Sequence, residues 1–397
     1  MTPDQALHTV TQIMTEFAQV TGSPPESERS RRYLWTDAFA VCNFIELHRR
    51  TGEGAFLDAA LELVDAVHHT LGRHREDDPR VGWISGLDDE EGERHPTIGG
   101  LRIGKPLNER PPDEPIDEER EWNRDGQYYH YLTKWMHALN AVSGATGDES
   151  YCLQAAELAQ TAHARFTYET SRDEAKGMFW KMSIDLSRPL ITAMGQHDPL
   201  EGFITCCELQ SAMARLPRTS VRLDLAREID ELARMCMGEN WITDDPLGIG
   251  GLLCDGYRIA QLAFQGFLAD AHLLRTVLEA ARRGLHAFSR RGSWTAPVEY
   301  RLAFRELGLS IGLKAAARLT RLLKGRPTLF KEGAELLKLT AELEVYDPMA
   351  DEIEGFWLDP SSRRASSWTE HRDINMVMLA ASLAPDGYLQ IGPTAHG

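Results

Sequence analysis

The 397-residue sequence predicts an all-α protein built from repeated helical hairpins, arranged as a closed ring or as a solenoid. Apolar residues recur with the 3.6-residue period of an amphipathic helix along most of the chain, and the alternating runs typical of β-strands are almost absent. Residues 37–69 and 130–164 also resemble each other, since each runs from a helix through Thr-Gly and an acidic residue into a second helix. A repeated hairpin of this kind predicts these two architectures because each unit buries its apolar faces against neighbouring units.

The apolar pattern predicts twelve helices that follow one another along the chain. Two of their starts carry a strong local signal, because Asp198 and Asp245 each precede a proline, and an acidic N-cap followed by proline is a preferred helix start. The predicted helices cover residues 3–21, 36–51, 54–74, 126–144, 149–168, 199–216, 222–239, 249–266, 269–290, 298–323, 327–345 and 369–384.

The links between these predicted helices alternate in length. The links after even-numbered helices are short, namely TGEG, GATGDE, LPRTS, GFLAD and LKGRP. The links after odd-numbered helices are mostly long, at residues 22–35, 75–125, 169–198, 240–248, 291–297 and 346–368. If helices alternate up and down, the long links share one rim. Eight of the nine tryptophans lie in or beside the long links, which favours a binding face there, and only Trp135 lies inside a helix.

Six hairpins with Thr-Gly-acidic turns on one side and aromatic, acidic loops on the other resemble the (α/α)6 barrel of the six-hairpin glycosidase superfamily. The resemblance covers nearly the whole chain and rests on architecture and repeat style. It implies one domain over residues 1–397, with a long loop insertion at about 75–125. It also implies six inner helices around a funnel, with the active site at the rim that carries the longer loops. Members of the superfamily include glycoside hydrolases, polysaccharide lyases and sugar epimerases.

Composition and charge exclude several other classes of function. The net charge of −17 argues against a nucleic-acid partner, because binding to the phosphate backbone needs clustered Lys and Arg. No stretch approaches 18 uninterrupted apolar residues, so we expect no membrane span, and residues 1–17 lack the features of a signal peptide. Six cysteines without CxxC spacing indicate reduced thiols in a cytoplasmic protein. No tight metal-ligand spacing is present, so we expect no metal and no cofactor. The oligomeric state stays open.

The even-numbered predicted helices begin with costly polar and aromatic residues, as residues 120–131 illustrate. A sugar site requires this combination, because sugar C–H faces pack on aromatic planes and hydroxyl groups pair with polar side chains. The partner is therefore expected to be a small saccharide. The expected binding residues are Trp35, Arg102, Trp122, Gln127, Tyr128, His130, His197, Asp255, Tyr257, Glu299, Arg301, Trp368 and Asp373.

Glycoside hydrolysis by carboxylate acid/base catalysis is the first prediction for the chemistry, and it needs two carboxyl groups. The favoured candidates are Asp37, Asp125 and Glu370, with Glu299 and Asp255 behind them. Helix capping is the alternative role for several of these carboxylates, because acidic residues suit the first turn of a helix. The sequence does not pair the candidates.

Two further functions stay open. The chain is similar to the N-acylglucosamine 2-epimerase and mannose isomerase group, which implies metal-independent proton transfer by histidine bases, with His371 at the position of the last one. A non-catalytic sugar-binding protein is the third alternative. It explains the aromatic residues equally well, but it explains inward acidic and histidine residues less well, because burying them unpaired is costly.

Overall fold

The computed structural model describes residues 1–22, 32–170, 176–216 and 223–392. The chain divides into two compact units. Unit 1 comprises Met1–Phe17, Arg49–Gly52 and Asn240–Gly397, and unit 2 comprises Ala18–His48 and Glu53–Glu239. The prediction of a single domain stays a prediction. Parts of the predicted links 22–35, 169–198 and LPRTS lie outside the described residues.

Every one of the twelve predicted helices is present, with starts that differ by up to six residues. Short helices also occur inside the long links, where the sequence predicted none. The helices are α1 Pro3–Thr21, α2 Leu34–Thr51, α3 Gly54–Leu71, α4 Asp89–Arg94, α5 Glu118–Asn123, α6 Tyr129–Thr146, α7 Glu149–Phe166, α8 Asp198–Met213, α9 Ala226–Cys236, α10 Pro246–Phe264, α11 Ala271–Arg291, α12 Ala303–Gly325, α13 Gly333–Leu343, α14 Asp347–Leu358, α15 Ser366–Thr369, α16 Arg372–Leu383 and α17 Asp386–Leu389.

In unit 2 the helices form two classes that differ in burial. Helices α2 and α8 are buried around their whole circumference, without a break from Leu34 to Leu47 and from Asp198 to Leu209. Helix α9, in contrast, buries one stripe and exposes the rest. Helix α6 packs against both α7 and α8. Unit 2 therefore has an inner set, α2, α6 and α8, whose polar residues face other protein atoms rather than bulk water.

Unit 1 repeats this division, with α10, α12 and α16 buried all round and α11 exposing a polar face. Helices α10 and α12 approach closely because glycines meet at their crossing. A Cβ atom added to Gly250 would lie 2.1 Å from the carbonyl oxygen of Gly308, and one added to Gly312 would lie 2.5 Å from the Cα of Gly250. Any side chain at Gly250 would therefore push the two helices apart. Helix α14, which the sequence analysis left within a link, also packs on α12.

Short strands connect the long links of unit 2 to the start of α6. Strand β1 (Gln127–Tyr128) pairs antiparallel with β4 (Lys181–Met182), which pairs with β5 (Pro189–Ile191). Strands β2 (Thr167–Glu169) and β3 (Lys176–Met178) form a separate antiparallel pair. Because β1 runs directly into α6, this pairing fixes the direction in which the first side chains of α6 point.

The insertion at 75–125 is folded onto the same region. The backbone N–H of Ile103 donates to the carbonyl of Gly126 at 2.8 Å, and the carbonyl of Ile103 accepts from the N–H of Leu34 at 3.1 Å. Leu101 and Ile103 are fully buried. One short segment of the insertion thus joins the starts of α2 and α6, whereas most of residues 111–120 are exposed, as expected for an acidic, proline-rich segment.

Within the described residues, no helix combines the length and the apolar character that crossing a bilayer requires. All six cysteines are buried.

His68 makes the stability of the protein sensitive to acid. Its ring lies buried between α3 and α6, where Nε2 accepts from Trp135 Nε1 at 3.1 Å. Burial, with a contribution from His69, lowers the pKa of His68 to about 3. The unfolded chain binds this proton near the ordinary pKa of about 6.5. The contribution of neutral His68 to the stability of the folded protein is therefore fully present above about pH 6.5, and it declines as the pH falls toward about 3.

We expect His68 to reduce the free energy of unfolding by about 2–3 kcal/mol between about pH 6.5 and about pH 4.5, at about 1.4 kcal/mol per pH unit. Urea unfolding at both pH values checks this expectation. The His68→Gln variant should show a smaller loss over the same interval, and an equal loss in both proteins would contradict the assignment.

Candidate functional site

Several aromatic and histidine side chains of unit 2 lie close together at the starts of α2 and α6 and just before β4. We call this group the aromatic patch. Its members are Tyr33, Trp35, Trp122, Tyr128, His130, Tyr131 and Trp180.

His130 lies at the centre of the aromatic patch. Its ring centroid is 4.9 Å from that of Tyr131, 5.3 Å from Tyr128, 6.1 Å from Trp35 and 6.5 Å from Trp180. The rings of Tyr128 and Trp180 both lie nearly parallel to the imidazole. His130 is therefore held in one orientation by packing from several sides.

One side of the aromatic patch is buried and the other is exposed to solvent. Trp35 and Tyr128 are buried, whereas Trp122 is 55% exposed. The His130 side chain is 22% exposed. The patch thus offers flat apolar faces next to a histidine that solvent reaches, an arrangement typical of sites that hold a small polar ring.

Behind His130 lies a buried carboxylate on α8. The distance from His130 Nδ1 to Asp198 Oδ1 is 3.6 Å. His130 Nδ1 and Asp198 Oδ2 are both buried and, among the described residues, have no hydrogen-bond partner. Gly195 makes room for this carboxylate, since a Cβ there would lie 2.3 Å from Asp198 Oδ2. His130 and Asp198 are thus placed so that a small movement makes a histidine–carboxylate hydrogen bond.

A buried ion pair follows one turn further along both helices. Lys134 Nζ pairs with Glu201 Oε1, which also accepts from Thr133 Oγ1 at 2.7 Å. Burial opposes ionisation of Glu201, but the ammonium of Lys134 and the hydroxyl of Thr133 outweigh it, so the pKa of Glu201 is lowered. Lys134 Nζ also lies 5.4 Å from the ring centroid of Trp35. A fixed positive and a fixed negative charge therefore stand beneath the patch.

Lys105 occupies the open side of the aromatic patch. Its Nζ lies 5.4 Å from the ring centroid of Tyr33 and 5.6 Å from that of Trp122. Burial and the nearby charge of Lys181 lower the pKa of Lys105, and the carboxylate of Asp125 opposes the shift.

Asp125, a predicted catalytic residue, is 0% exposed and bonded on both oxygens. Oδ2 accepts from Arg102 Nη1 at 2.9 Å and from Arg75 Nη1 at 3.3 Å. Oδ1 accepts from the backbone N–H groups of Gly104 at 2.9 Å and Gly126 at 3.1 Å. The carboxylate joins the insertion to the start of α6, and Arg102, predicted to bind substrate, is its main counter-ion.

Asp37, the second predicted carboxylate, is buried in the first turn of α2. Its Oδ2 accepts from the backbone N–H of Tyr33 at 3.0 Å, and Oδ1 lies 3.7 Å from Arg32 Nη1. Asp37 therefore bonds to the segment just before α2.

Glu370 and His371 belong to unit 1, where they form the exposed junction between α15 and α16. The ring of His371 lies 5.8 Å from that of Phe304. Glu299, in a short 3-10 turn at Val298–Tyr300, and Asp373 are also exposed.

Four other predicted binding residues of unit 1 are buried among protein partners. Their contacts are internal ones. Arg301 pairs with Glu306 at 2.6 Å and lies over the ring of Phe356, Trp368 stacks on Trp357 at 5.8 Å, Asp255 lies 3.8 Å from Arg258, and the hydroxyl of Tyr257 accepts from Gln390 at 3.4 Å.

Gln127 and His197 complete the predicted set. Gln127 is fully buried in β1, where its amide accepts from Leu101 N at 2.9 Å and donates to the carbonyls of Gly99 and Ile184. His197 is the N-cap residue of α8. Gln127 is therefore bonded to the insertion, whereas His197 lies next to Asp198.

The structure thus brings together three of the predicted binding residues of unit 2, Trp35, Tyr128 and His130, with Trp122 at the edge. It adds Lys134 and Glu201, which the sequence analysis did not select. A lysine four residues after a histidine, on a helix that is otherwise buried, is the sequence signal that could have identified Lys134.

The N-cap prediction for Asp198 is wrong, because His197 is the N-cap and Asp198 is already the first helical residue, with its side chain turned toward His130. The same prediction is confirmed for Asp245, which accepts from Leu247 N at 3.3 Å.

The tryptophans of the long links divide by burial. Trp122 is exposed, and Trp180 and Trp294 are partly exposed. Trp83, Trp241, Trp357 and Trp368 are buried inside their own unit rather than forming a binding face, and Trp35 is a buried member of the aromatic patch. In the part of the chain that the structure describes, no group of three or more His, Cys, Asp or Glu residues is arranged to hold a metal ion.

No family model matches the sequence, and no curated protein matches it. Solved structures match its fold. The GH76 α-mannanase of Bacteroides thetaiotaomicron is 10% identical over 97% of this chain and 99% of its own, with a TM-score of 0.54. A sugar epimerase from a ruminal bacterium is 11% identical over 96% of this chain and 98% of its own, with a TM-score of 0.52.

A third match is an inactive variant of an α-1,6-mannanase from Salegentibacter sp. HEL1_6 in complex with α-1,6-mannotriose. It is 11% identical over 97% of this chain and 100% of its own, with a TM-score of 0.50. At these identities the likeness concerns the fold, and it extends over nearly the whole length of each chain. The protein therefore shares the all-α (α/α)6 fold of these solved structures, as its repeated hairpins predicted.

Proposed function

We propose that the protein is a carbohydrate-active enzyme that binds a small saccharide on the aromatic patch and uses His130 to move a proton. The observation that carries the proposal is the position of His130, stacked among aromatic rings with its Nδ1 3.6 Å from the buried Asp198. Aromatic planes suit the C–H faces of a sugar ring, and a histidine backed by a carboxylate suits acid/base work near neutral pH.

The reaction that this arrangement supports best is epimerisation or isomerisation of a free sugar. Because Nδ1 faces Asp198, Nε2 is the ring nitrogen left for substrate. It removes a proton from the carbon beside the carbonyl of the open-chain sugar, and the electron pair of that C–H bond moves into an enediolate. Return of a proton to the opposite face of the same carbon gives the epimer. Return to the neighbouring carbon, with the hydroxyl proton passing from O2 to O1, gives the ketose, so no external oxidant or reductant is needed. Lys134 supplies positive charge near the enediolate.

Two features support this choice. The patch contains a histidine with a solvent-accessible side chain, whereas Asp37 and Asp125, the carboxylates first predicted for hydrolysis in unit 2, are occupied by backbone and arginine donors. In addition, one of the solved structures with this fold is a sugar epimerase.

Glycoside hydrolysis is the second candidate, and one observation favours it. Asp198 and Glu201 lie three residues apart on α8 and both face α6 through His130 and Lys134. Side chains at this spacing have Cβ atoms about 5–6 Å apart, close to the separation of the two carboxyl groups in retaining glycosidases. Two mannanases share the fold. In this alternative Asp198 would be the acid, since Lys134 keeps Glu201 ionised.

Proton exchange in deuterated water separates the two reactions. We expect the purified protein to replace the C2 proton of a free aldose by deuterium and to produce its epimer or ketose, as followed by NMR. The reason is that His130 exchanges the abstracted proton with solvent. Parallel samples with α-1,6-mannobiose and other disaccharides report hydrolysis. Release of monosaccharide without exchange at C2 would overturn the epimerase assignment in favour of the hydrolase, and binding without either reaction would leave the non-catalytic alternative.

A further inference from the structure

Lys105 differs from the other cations around the aromatic patch. Among residues 1–22, 32–170, 176–216 and 223–392, its ammonium has no carboxylate within 4 Å and no hydrogen-bond acceptor, and it lies near the rings of Tyr33 and Trp122. Each neighbouring cation, in contrast, has a carboxylate within 4 Å. These pairs are Arg75 with Asp77, Arg102 with Asp125, Arg110 with Glu121, Arg124 with Glu114, Lys134 with Glu201 and Lys181 with Glu121.

The backbone of Lys105 is fixed although its ammonium is not paired. Arg75 Nη1 donates to the carbonyl of Lys105 at 2.6 Å, and Arg75 Nη2 donates to the carbonyl of Pro106 at 3.0 Å. The adjacent Gly104 is bonded to Asp125 and has a φ of 93°, a left-handed conformation that suits glycine. The insertion therefore presents Lys105 at a defined position with its charge left for another group.

Lys105 and His130 lie on the same aromatic patch. The Tyr33 ring that contacts Lys105 is joined to Tyr131 by a hydroxyl–hydroxyl hydrogen bond of 2.7 Å, and Tyr131 contacts His130 at 4.9 Å. The ring of Trp122, which also contacts Lys105, lies 6.2 Å from that of Trp180, and the ring of Trp180 lies 6.5 Å from that of His130. His130 and the ammonium of Lys105 therefore border the same group of aromatic rings.

We infer that the saccharide carries a carboxylate, as a uronic acid does, and that Lys105 binds this group. This inference rests on the function proposed above and names its substrate class. A positive charge without a partner, beside apolar rings, favours an anion that completes the pair. A carboxylate suits the site better than a phosphate, because phosphate is usually held by several N–H groups, and Lys181, whose charge acts on Lys105, is already bonded to Glu121 and Arg124.

Calorimetric titration with matched sugars tests the inference. The probes are D-glucuronate against D-glucose, D-galacturonate against D-galactose, and D-glucose 6-phosphate. We expect the unchanged protein to bind one uronate about tenfold or more tightly than its neutral partner. The Lys105→Met variant, which keeps an unbranched stem, should lose that preference, and Lys105→Arg should keep part of it. Lys338→Met, an exposed lysine of unit 1, controls for loss of one charge.

Each result has a distinct meaning. Equal affinity for uronate and neutral sugar, or a preference that persists in Lys105→Met, would overturn the carboxylate assignment and leave the saccharide function standing. Tighter binding of the sugar phosphate than of either uronate would also overturn it. Absence of binding for every sugar would overturn the proposed function itself. Thermal unfolding of each variant shows that it is folded when it is titrated.

Discussion

Replacement of His130 by asparagine is expected to lower kcat on a free sugar about a thousandfold, because a positioned acid/base group contributes about 10²–10⁴ to the rate. Saccharide affinity should stay within a few-fold, since the aromatic faces that hold the sugar remain. The Nδ1 of His130 has no hydrogen-bond partner among the described residues, so the replacement breaks no hydrogen bond at that atom. Initial rates and equilibrium binding, measured on the same preparation, give both quantities.

The control for this variant is His286→Asn, because His286 is an exposed histidine on α11 of unit 1. A His130→Asn protein with an unchanged rate would remove His130 from the mechanism. A variant that loses affinity and rate together would give it a role in holding the sugar instead.

Asp198 acts through His130 and is a positioning residue in this scheme. Asp198→Asn should lower kcat less than His130→Asn and leave KM nearly unchanged, because His130 stays in place but loses the carboxylate that orients it. A loss of activity that only follows a smaller folded fraction, with kcat per folded molecule unchanged, would indicate a merely structural role.

Replacement of Asp125 by alanine is expected to have the largest effect on stability, a loss of about 3–5 kcal/mol, because it leaves the buried guanidinium of Arg102 without its counter-ion. The backbone N–H groups of Gly104 and Gly126 would also lose their acceptor. Urea unfolding of Asp125→Ala and Asp125→Asn measures the change in the free energy of unfolding. Asp113→Ala, at an exposed position of the same insertion, is the matched control.

The same variants decide between the two roles considered for Asp125. If its role is structural, activity per folded molecule should remain in Asp125→Asn wherever the protein is folded, and total activity should fall in step with the folded fraction. An Asp125→Asn protein that is as stable as the unchanged one yet inactive would instead restore the catalytic role that the sequence predicted.

The apolar pattern was sufficient to locate the helices because the helix period is a local property of a segment. Burial is set by tertiary packing: the stretch from Asp198 to Leu209 carries polar and acidic residues among apolar ones, yet it is buried on all sides. The predicted first residues of the helices were less accurate than their existence. Residues 298–302 precede α12 instead of beginning it, because Val298–Tyr300 forms a separate 3-10 turn.

The candidate site was predicted in part. The sequence pointed to residues 120–131 as the place where polar and aromatic chemistry enters a buried helix, and Tyr128 and His130 do lie in the aromatic patch. It assigned catalysis to Asp125 in the same stretch. That carboxylate looked available because its partners, Arg75, Arg102 and Gly104, come from elsewhere in the insertion.

The sequence by itself thus determined the helical hairpins and the segment that brings aromatic residues to the start of α6. Only the tertiary structure decided which groups each charged side chain meets. A carboxylate that accepts hydrogen bonds from a buried arginine stabilises the fold, whereas in the proposed reaction one beside a partly exposed histidine orients a base. Asp125 and Asp198 have the same side chain and both lie next to helix starts. They differ because distant segments supply donors to the first and an imidazole to the second.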